Sequence, residues 1–189
     1  MATQKHPLTM EYALLGFLRQ RPMHGYEIHQ RIEAGEDDGM VWRVKQSLLY
    51  TMLGRLEDEG LVSSTLETHG ARPPRKRYSL TAKGDTLLQA WLQTPVRNGR
   101  DFRLEFLTKL YFAQLAGSSA ALTLIRRQLT ASQTQLNRLT HTANTAATTE
   151  SFAGLVSDFR VGQMEAVINW LKTCEQLYTV KEARESRGA

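Results

Sequence analysis

A single cysteine, Cys174, in 189 residues leaves no partner for an internal disulfide. It sits in an apolar helical pattern, where a buried structural thiol is the natural reading and a reducing compartment the natural setting. No apolar run approaches the roughly 20 residues needed to span a bilayer, and the first ten residues, MATQKHPLTM, carry no apolar h-region. The expected location is therefore the cytoplasm. His24, His29 and His69 do not pair at the i,i+4 spacing that sets two imidazoles on one helical side, and no cysteine or carboxylate cluster completes a shell. No metal is expected, and no cofactor. A phosphate-cradling glycine loop, a GxSxG elbow and a carboxylate pair in an apolar context are all missing, so an enzyme is not expected either. GEDDG, residues 35–39, reads as a solvated acidic loop.

The chain is long enough for a core-bearing domain plus an extension, or for two small domains, on ordinary burial alone. Its formal charge of +5 suits a polyanionic partner without requiring one. Thr9 is placed to cap a helix over MEYALLGFLRQ, with Tyr12, Leu15, Phe17 and Leu18 on its apolar side, and Arg21-Pro22 stops it. HGYEIHQRIEAG repeats the helical spacing through Tyr26, Ile28 and Ile32 and ends at Gly35. A third helix, from about Gln46 to Glu59, gathers Leu49, Met52, Leu53 and Leu56 into one stripe, with Gly60 at the C-cap. LVSSTLE and KRYSL then read as two strands joined through GARPP, and Thr81 caps a fourth helix, AKGDTLLQAWLQ, that Pro95 closes.

Helix, helix, helix, strand, turn, strand is the order of a winged helix-turn-helix, so the fold class is mainly α with a small β-hairpin. From RNGRDF onward only helix is expected. FRLEFLTKLYFAQL carries Glu105 and Lys109 as an i,i+4 pair. Leu122, Ile125, Leu129, Leu136, Leu139 and Ala143 form an a/d seam interrupted by Ser132, which asks for a partner helix. After a turn in HTANTAATTE, the helix SFAGLVSDFRVGQMEAVINWLKTCEQLY sets Phe152, Val156, Phe159, Val167, Trp170, Cys174 and Leu177 on one side. These two helices suit an antiparallel hairpin and a coiled-coil-like dimer interface, with Leu122, Ile125, Leu129, Leu136, Leu139, Phe159, Val167 and Trp170 as the dimerising residues. The division expected is 1–95 for DNA binding, 96–180 for helical dimerisation and 181–189, within KEARESRGA, as a frayed tail.

On a helical wheel Leu49, Leu53 and Leu56 turn inward, so Ser47, Tyr50, Thr51 and Gly54 face outward beyond Lys45 and Gln46. A recognition helix reads bases chiefly through its N-terminal residues, and Lys45, Gln46, Ser47, Tyr50 and Thr51 occupy those positions. One hairpin further on, Arg72, Arg75, Lys76 and Arg77 put four cations in six residues, stiffened and held extended toward solvent by Pro73 and Pro74. Phosphate contacts from such a wing fix register without reading sequence. The expected partners are double-stranded DNA and a second copy of the chain.

The stretches HGYEIHQRI, SLLYTMLGRLEDEGLV, PPRKRYSLTAKG and RLEFLTKL, in this order and spacing, resemble the PadR family of bacterial transcriptional regulators over about residues 10–112. The resemblance implies that Tyr50, the segment from Arg72 to Arg77 and the start of the third helix meet operator DNA. It also implies that C-terminal helices build a homodimer, as in the AphA-like subgroup with an extended dimerising region, and that repression is the default. Ser47 stands where many members have glycine, and Gly54 where a charged residue is usual. These departures imply a changed base preference and one phosphate contact fewer. Some members sense flat aromatic compounds, which makes Trp91 a candidate effector contact beside Trp42 and Trp170, although packing is the plainer account of each tryptophan. The competing class is a winged-helix adaptor that joins proteins without reading DNA.

Overall fold

The computed structural model describes residues 9–34, 44–68, 74–145 and 151–188. They belong to two compact units, Met1–Thr94 and Pro95–Ala189. His69, Arg72, Pro73, Trp42 and the GEDDG loop lie outside the described residues, as does the second half of the expected turn in HTANTAATTE, whose first half is helical to Thr145.

In the first unit, α1 (Thr9–Gln20) is buried from Glu11 to Leu18, so it is the central element rather than a one-sided surface helix. A two-residue strand β1 (Met23–His24) leads into α2 (Gly25–Ala34), and α3 (Gln46–Asp58) follows. Ile28, Ile32, Leu49, Leu53 and Leu56 are fully or almost fully buried with Phe17 and Leu14. Gly60, at φ +68, closes α3 in a left-handed C-cap, with Leu61 N donating to Leu56 O (2.9 Å) and Gly60 N to Glu57 O (2.9 Å). That reversal sends the chain straight into the sheet.

The sheet has three strands in the order β1-β3-β2, where β2 is Val62–Glu67 and β3 is Arg75–Leu80. Both pairings are antiparallel, with Val62 opposite Leu80, Glu67 opposite Arg75 and His24 opposite Arg77. The sequence announces two of these strands and not β1, because two residues carry no period. Thr81 caps α4 (Ala82–Gln93) as expected, its hydroxyl accepting from Gly84 N at 3.1 Å.

The second unit opens with a single turn, α5 (Gly99–Asp101), and a π-helical turn over Phe102–Phe106, then α6 (Leu107–Leu115). Expected as one continuous α-helix, this segment widens at its start, and Phe102 stacks on Phe106 there at 4.6 Å. The Glu105–Lys109 pair is present at 2.6 Å, but Lys109 is fully buried, and that burial pulls its ammonium below the ordinary lysine range. α7 (Ser118–Thr145) and α8 (Phe152–Gly188) run antiparallel, tied by Ser118 to Glu185 (2.6 Å) and Arg126 to Glu175 (2.9 Å).

Three expectations are corrected in this unit. Leu122 and Ile125 are buried, and Leu129 and Val167 pack against the same cluster as Phe106, Leu171 and Tyr178, so the chain fills the first half of its own seam, while Leu136 and Leu139 further along are half-buried. Ser132 interrupts that seam without cost to it: Gln128 Nε2 donates to Ser132 Oγ (3.3 Å) and to Val96 O (2.9 Å), while its Oε1 accepts from Val96 N (2.8 Å). On α8, Phe152, Phe159 and Leu177 point to solvent at 82%, 68% and 53% exposure, Trp170 is only partly exposed with its ring edge against Phe102 and Phe106, and the inward residues are Met164, Ile168, Leu171 and Tyr178. Finally, residues 181–188 continue the helix, because Lys, Glu, Ala and Arg are all strong helix formers and Glu185 is anchored on Ser118. Cys174 is half-buried against this core and burial pushes its thiol up, in keeping with an inert side chain.

Candidate nucleic-acid interface

Four of the residues singled out on α3, namely Gln46, Ser47, Tyr50 and Thr51, are exposed along one side of the helix, with Lys45 exposed at its N-cap and Gly54 half-buried further along. Thr51 Oγ1 donates to Ser47 O (3.0 Å), which spends its proton within the helix and leaves oxygen lone pairs outward. Tyr50 is 42% exposed. Leu48, 52% exposed on the flank of the same turn, escapes a sequence reading because hydrophobic residues there are counted as core. An apolar side chain at a helix start is suited to contact a thymine methyl.

α3 is held from three sides. Its Arg55 forms an ion pair with the fully buried Glu11 of α1. Before its first turn, the Val44 carbonyl accepts from His29 Nε2 (3.0 Å), and His29 Nδ1 stands 3.3 Å from Glu33. This explains His29 as a brace between α2 and the α3 entry. Toward the other end, Glu57 accepts from Ser64 Oγ on β2 and from Lys76 Nζ on β3 at 2.8 Å.

The wing cations are consequently less free than an extended arm. Lys76 is paired with Glu57, and Arg77 Nη1 donates to Glu67 at 3.1 Å. Arg75 lies over the Tyr26 ring, 5.3 Å from its centroid, and His24 stacks on the other partner of this pile, with ring centroids of His24 and Tyr26 5.6 Å apart. His24 Nδ1 donates to Lys76 O (3.0 Å) while Nε2 lies 3.3 Å from Glu67. Sequence reasoning finds the cations but not the carboxylates and rings that hold them. Arg75, Lys76 and Arg77 lie in β3 itself, and their side chains remain partly solvent-exposed.

Trp91 is half-buried and stacks flat on Tyr12, with centroids 4.5 Å and planes 2° apart, so one indole face is covered. Trp170 makes edge contacts with Phe102 and Phe106, each at 6.0 Å. Among the described residues there is no group of His, Cys, Asp and Glu able to hold a metal, and no helix long and apolar enough to cross a membrane.

Residues 14–90 match the PadR-like family of transcriptional regulators, and residues 102–179 match the virulence activator alpha C-terminal family. The negative transcriptional regulator PadR of Bacillus subtilis is 32% identical over 130 residues, 69% of this chain and 70% of that protein. Among solved structures, Bacillus subtilis PadR with operator DNA is 26% identical, covering 90% of this chain and 99% of that one at a TM-score of 0.46. A PadR family regulator from Eggerthella lenta is 30% identical over 43% of this chain and 67% of its own, at 0.38. The chain belongs to the PadR family of transcriptional regulators.

The Glu57 tie has a pH signature. Its carboxyl is held below the ordinary 4.5, chiefly by the hydrogen bond from Lys76 and next by that from Ser64, and the same bond raises the Lys76 ammonium above 10.5. The pair thus stabilises the fold above pH 4.5, loses that effect as pH falls through the depressed carboxyl value, and loses it again as pH rises through the raised ammonium value. Urea unfolding of the wild type and Glu57→Gln across pH should show midpoints that differ at neutral pH and converge in acid.

Proposed function

We propose that this chain is a homodimeric, DNA-binding repressor that reads a pseudo-palindromic operator. Lys45, Gln46, Ser47, Tyr50 and Thr51 meet base edges, and Arg75, Lys76 and Arg77, with Arg72 beside them in sequence, meet phosphates. The observation that carries this reading is the double tie of Glu57, which fixes the cationic wing to the recognition helix as one body. Family membership and the negative regulator named among its relatives support repression. Binding, not catalysis, is its activity, and the DNA it reads places it in the cytoplasm.

Residues 1–95 form the reading part and residues 96–180 the dimerising part. The match of residues 102–179 to the virulence activator C-terminal family supports placing the chain in the AphA-like subgroup. The copy-to-copy surface is the outer side of α8, since Leu122, Ile125 and Leu129 of the α7 seam are taken up within the chain. Phe152, Leu155, Phe159, Trp170, Leu177 and Val180 are all exposed, and at about 100° per residue they share one stripe about a quarter-turn wide. A second copy covers this stripe. Two-fold symmetry then spaces the recognition helices about 34 Å apart, one turn of DNA.

Reversing Arg75 and Lys76 to Glu should weaken binding to every duplex and flatten the slope of log affinity on log salt by about 0.9 for each phosphate no longer neutralised. Tyr50→Ala should lower affinity for the preferred duplex more than for random DNA. Gel-shift titrations at several salt concentrations check both, and absence of DNA affinity at any salt leaves the adaptor reading standing.

Light scattering at micromolar concentration should give twice the chain mass for the wild type and the single-chain mass for Phe159→Glu, whose side chain lies outside the fold's own core. A wild-type monomer ends the dimer reading.

A flat aromatic effector is proposed to release the operator, with the half-buried Trp91, stacked on Tyr12, as its reporter. Because the Bacillus protein has been solved with p-coumaric acid, that acid is the probe of choice. It should quench tryptophan fluorescence and lower operator affinity in the wild type, and the quench should fall in Trp91→Phe.

A further inference from the structure

Tyr50 is the one large aromatic side chain on the outer side of α3, and a phenol ring in water samples several rotamers. Base reading requires one of them. The structure supplies a support at the start of α2: a Cβ built on Gly25 would lie 2.5 Å from Tyr50 Cε1, 3.0 Å from Cζ and 3.2 Å from the hydroxyl oxygen. The ring edge therefore fills the space that any side chain at position 25 would take.

The backbone gives no other reason for glycine there. The described glycines with positive φ are Gly60 and Gly117, so Gly25 adopts a conformation open to every L-residue. The platform under the ring is itself fixed. His24 N donates to Glu27 Oε2 (2.7 Å) at the first turn of α2, and His24 pairs with Arg77 across the sheet. A ring seated on this turn is tied to the wing as well as to its own helix.

We propose that Gly25 is a positioning residue for Tyr50: its missing side chain forms the seat that holds the phenol in its reading rotamer. The inference rests on Tyr50 reading DNA as proposed above. An added methyl meets the far edge of a half-exposed ring, so Gly25→Ala displaces the ring and leaves the backbone in place.

The test is a double-mutant cycle on the full-length protein, using the tightest duplex selected from a random-sequence library by the wild type and a scrambled duplex of equal length. Gly25→Ala should lose about tenfold in affinity for the selected duplex, the scale of one base contact, with binding to scrambled DNA unchanged. In the Tyr50→Ala background Gly25→Ala should cost nothing further. The proposal is overturned if Gly25→Ala binds the selected duplex like the wild type, or if the two losses multiply. If Tyr50→Ala itself keeps full preference while the wild type binds, the reading role of Tyr50 has failed and the seat with it. If Gly25→Ala melts early, Gly25→Ala/Tyr50→Ala should recover the melting temperature of Tyr50→Ala, and failure to recover it rejects the seat. A DNA-independent readout is the ring-current shift of the Gly25 α protons, which should vanish in Tyr50→Ala; its absence in the wild type also rejects the seat.

Discussion

Glu57 is the hinge pin of the first unit. It stands on the last turns of α3 and accepts one hydrogen bond from β2 through Ser64 and another from β3 through Lys76. A helix and a hairpin that meet only through apolar packing retain freedom to slide, because burial is non-directional. Two directed bonds to one carboxylate remove that freedom. The C-cap at Gly60 contributes from the covalent side, since it fixes the angle at which β2 leaves α3. Recognition helix and wing are thus related by both a turn and a bridge.

The same carboxylates set a limit on the wing's electrostatics. Lys76 and Arg77 arrive already paired with Glu57 and Glu67, and their side chains are 48% and 39% exposed. Pairs this open to water contribute little energy of their own, and of the two ties to Glu57 the Ser64 bond involves no cation, so it holds α3 to β2 whichever acceptor Lys76 takes. The pairs orient the cations without burying them, so exchange of carboxylate for phosphate needs no desolvated charge to be broken. Arg75 differs in having a ring under it, and among the described residues no carboxylate is paired with it.

Much of the first unit is legible in sequence because its signals are local. Thr81 caps and Gly60 terminates through side-chain or dihedral properties that a single residue declares. The outer residues of α3 follow from the period of Leu49, Leu53 and Leu56. What the sequence does not declare is pairing across space: Glu57 with Lys76 spans 19 positions and Arg55 with Glu11 spans 44. Neither carboxylate stands out among the acidic residues. The seat of Tyr50 is equally hidden, since Gly25 reads as a helix-start residue and nothing more. In the second unit, a heptad stripe says that leucines want cover without saying whose helix provides it. The tail reads as frayed for its polarity, when its composition favours helix.

α8 shows why a one-sided reading of a long helix fails. Its inward residues, Met164, Ile168, Leu171 and Tyr178, and its outward ones, Phe152, Phe159, Trp170 and Leu177, are both apolar, and they lie about a third of a turn apart on the wheel. A helix that needed only to cover α7 would gain nothing from phenylalanine at 82% exposure. Two apolar faces on one helix mean two packing partners: α7 accounts for the first, and the π-helical turn covers the second only around Trp170. The intrachain face is anchored by directed bonds, Ser118 to Glu185 at one end and Arg126 to Glu175 further along, so the hairpin stands with the second face open. Tyr178 adds a third fastening, donating to Gln114 of α6 at 2.9 Å. The chain's own core is complete without the stripe, which is presented on a support held by these bonds. Association onto such a support loses little conformational entropy, which is the physical condition for a specific interface built from a single helix side.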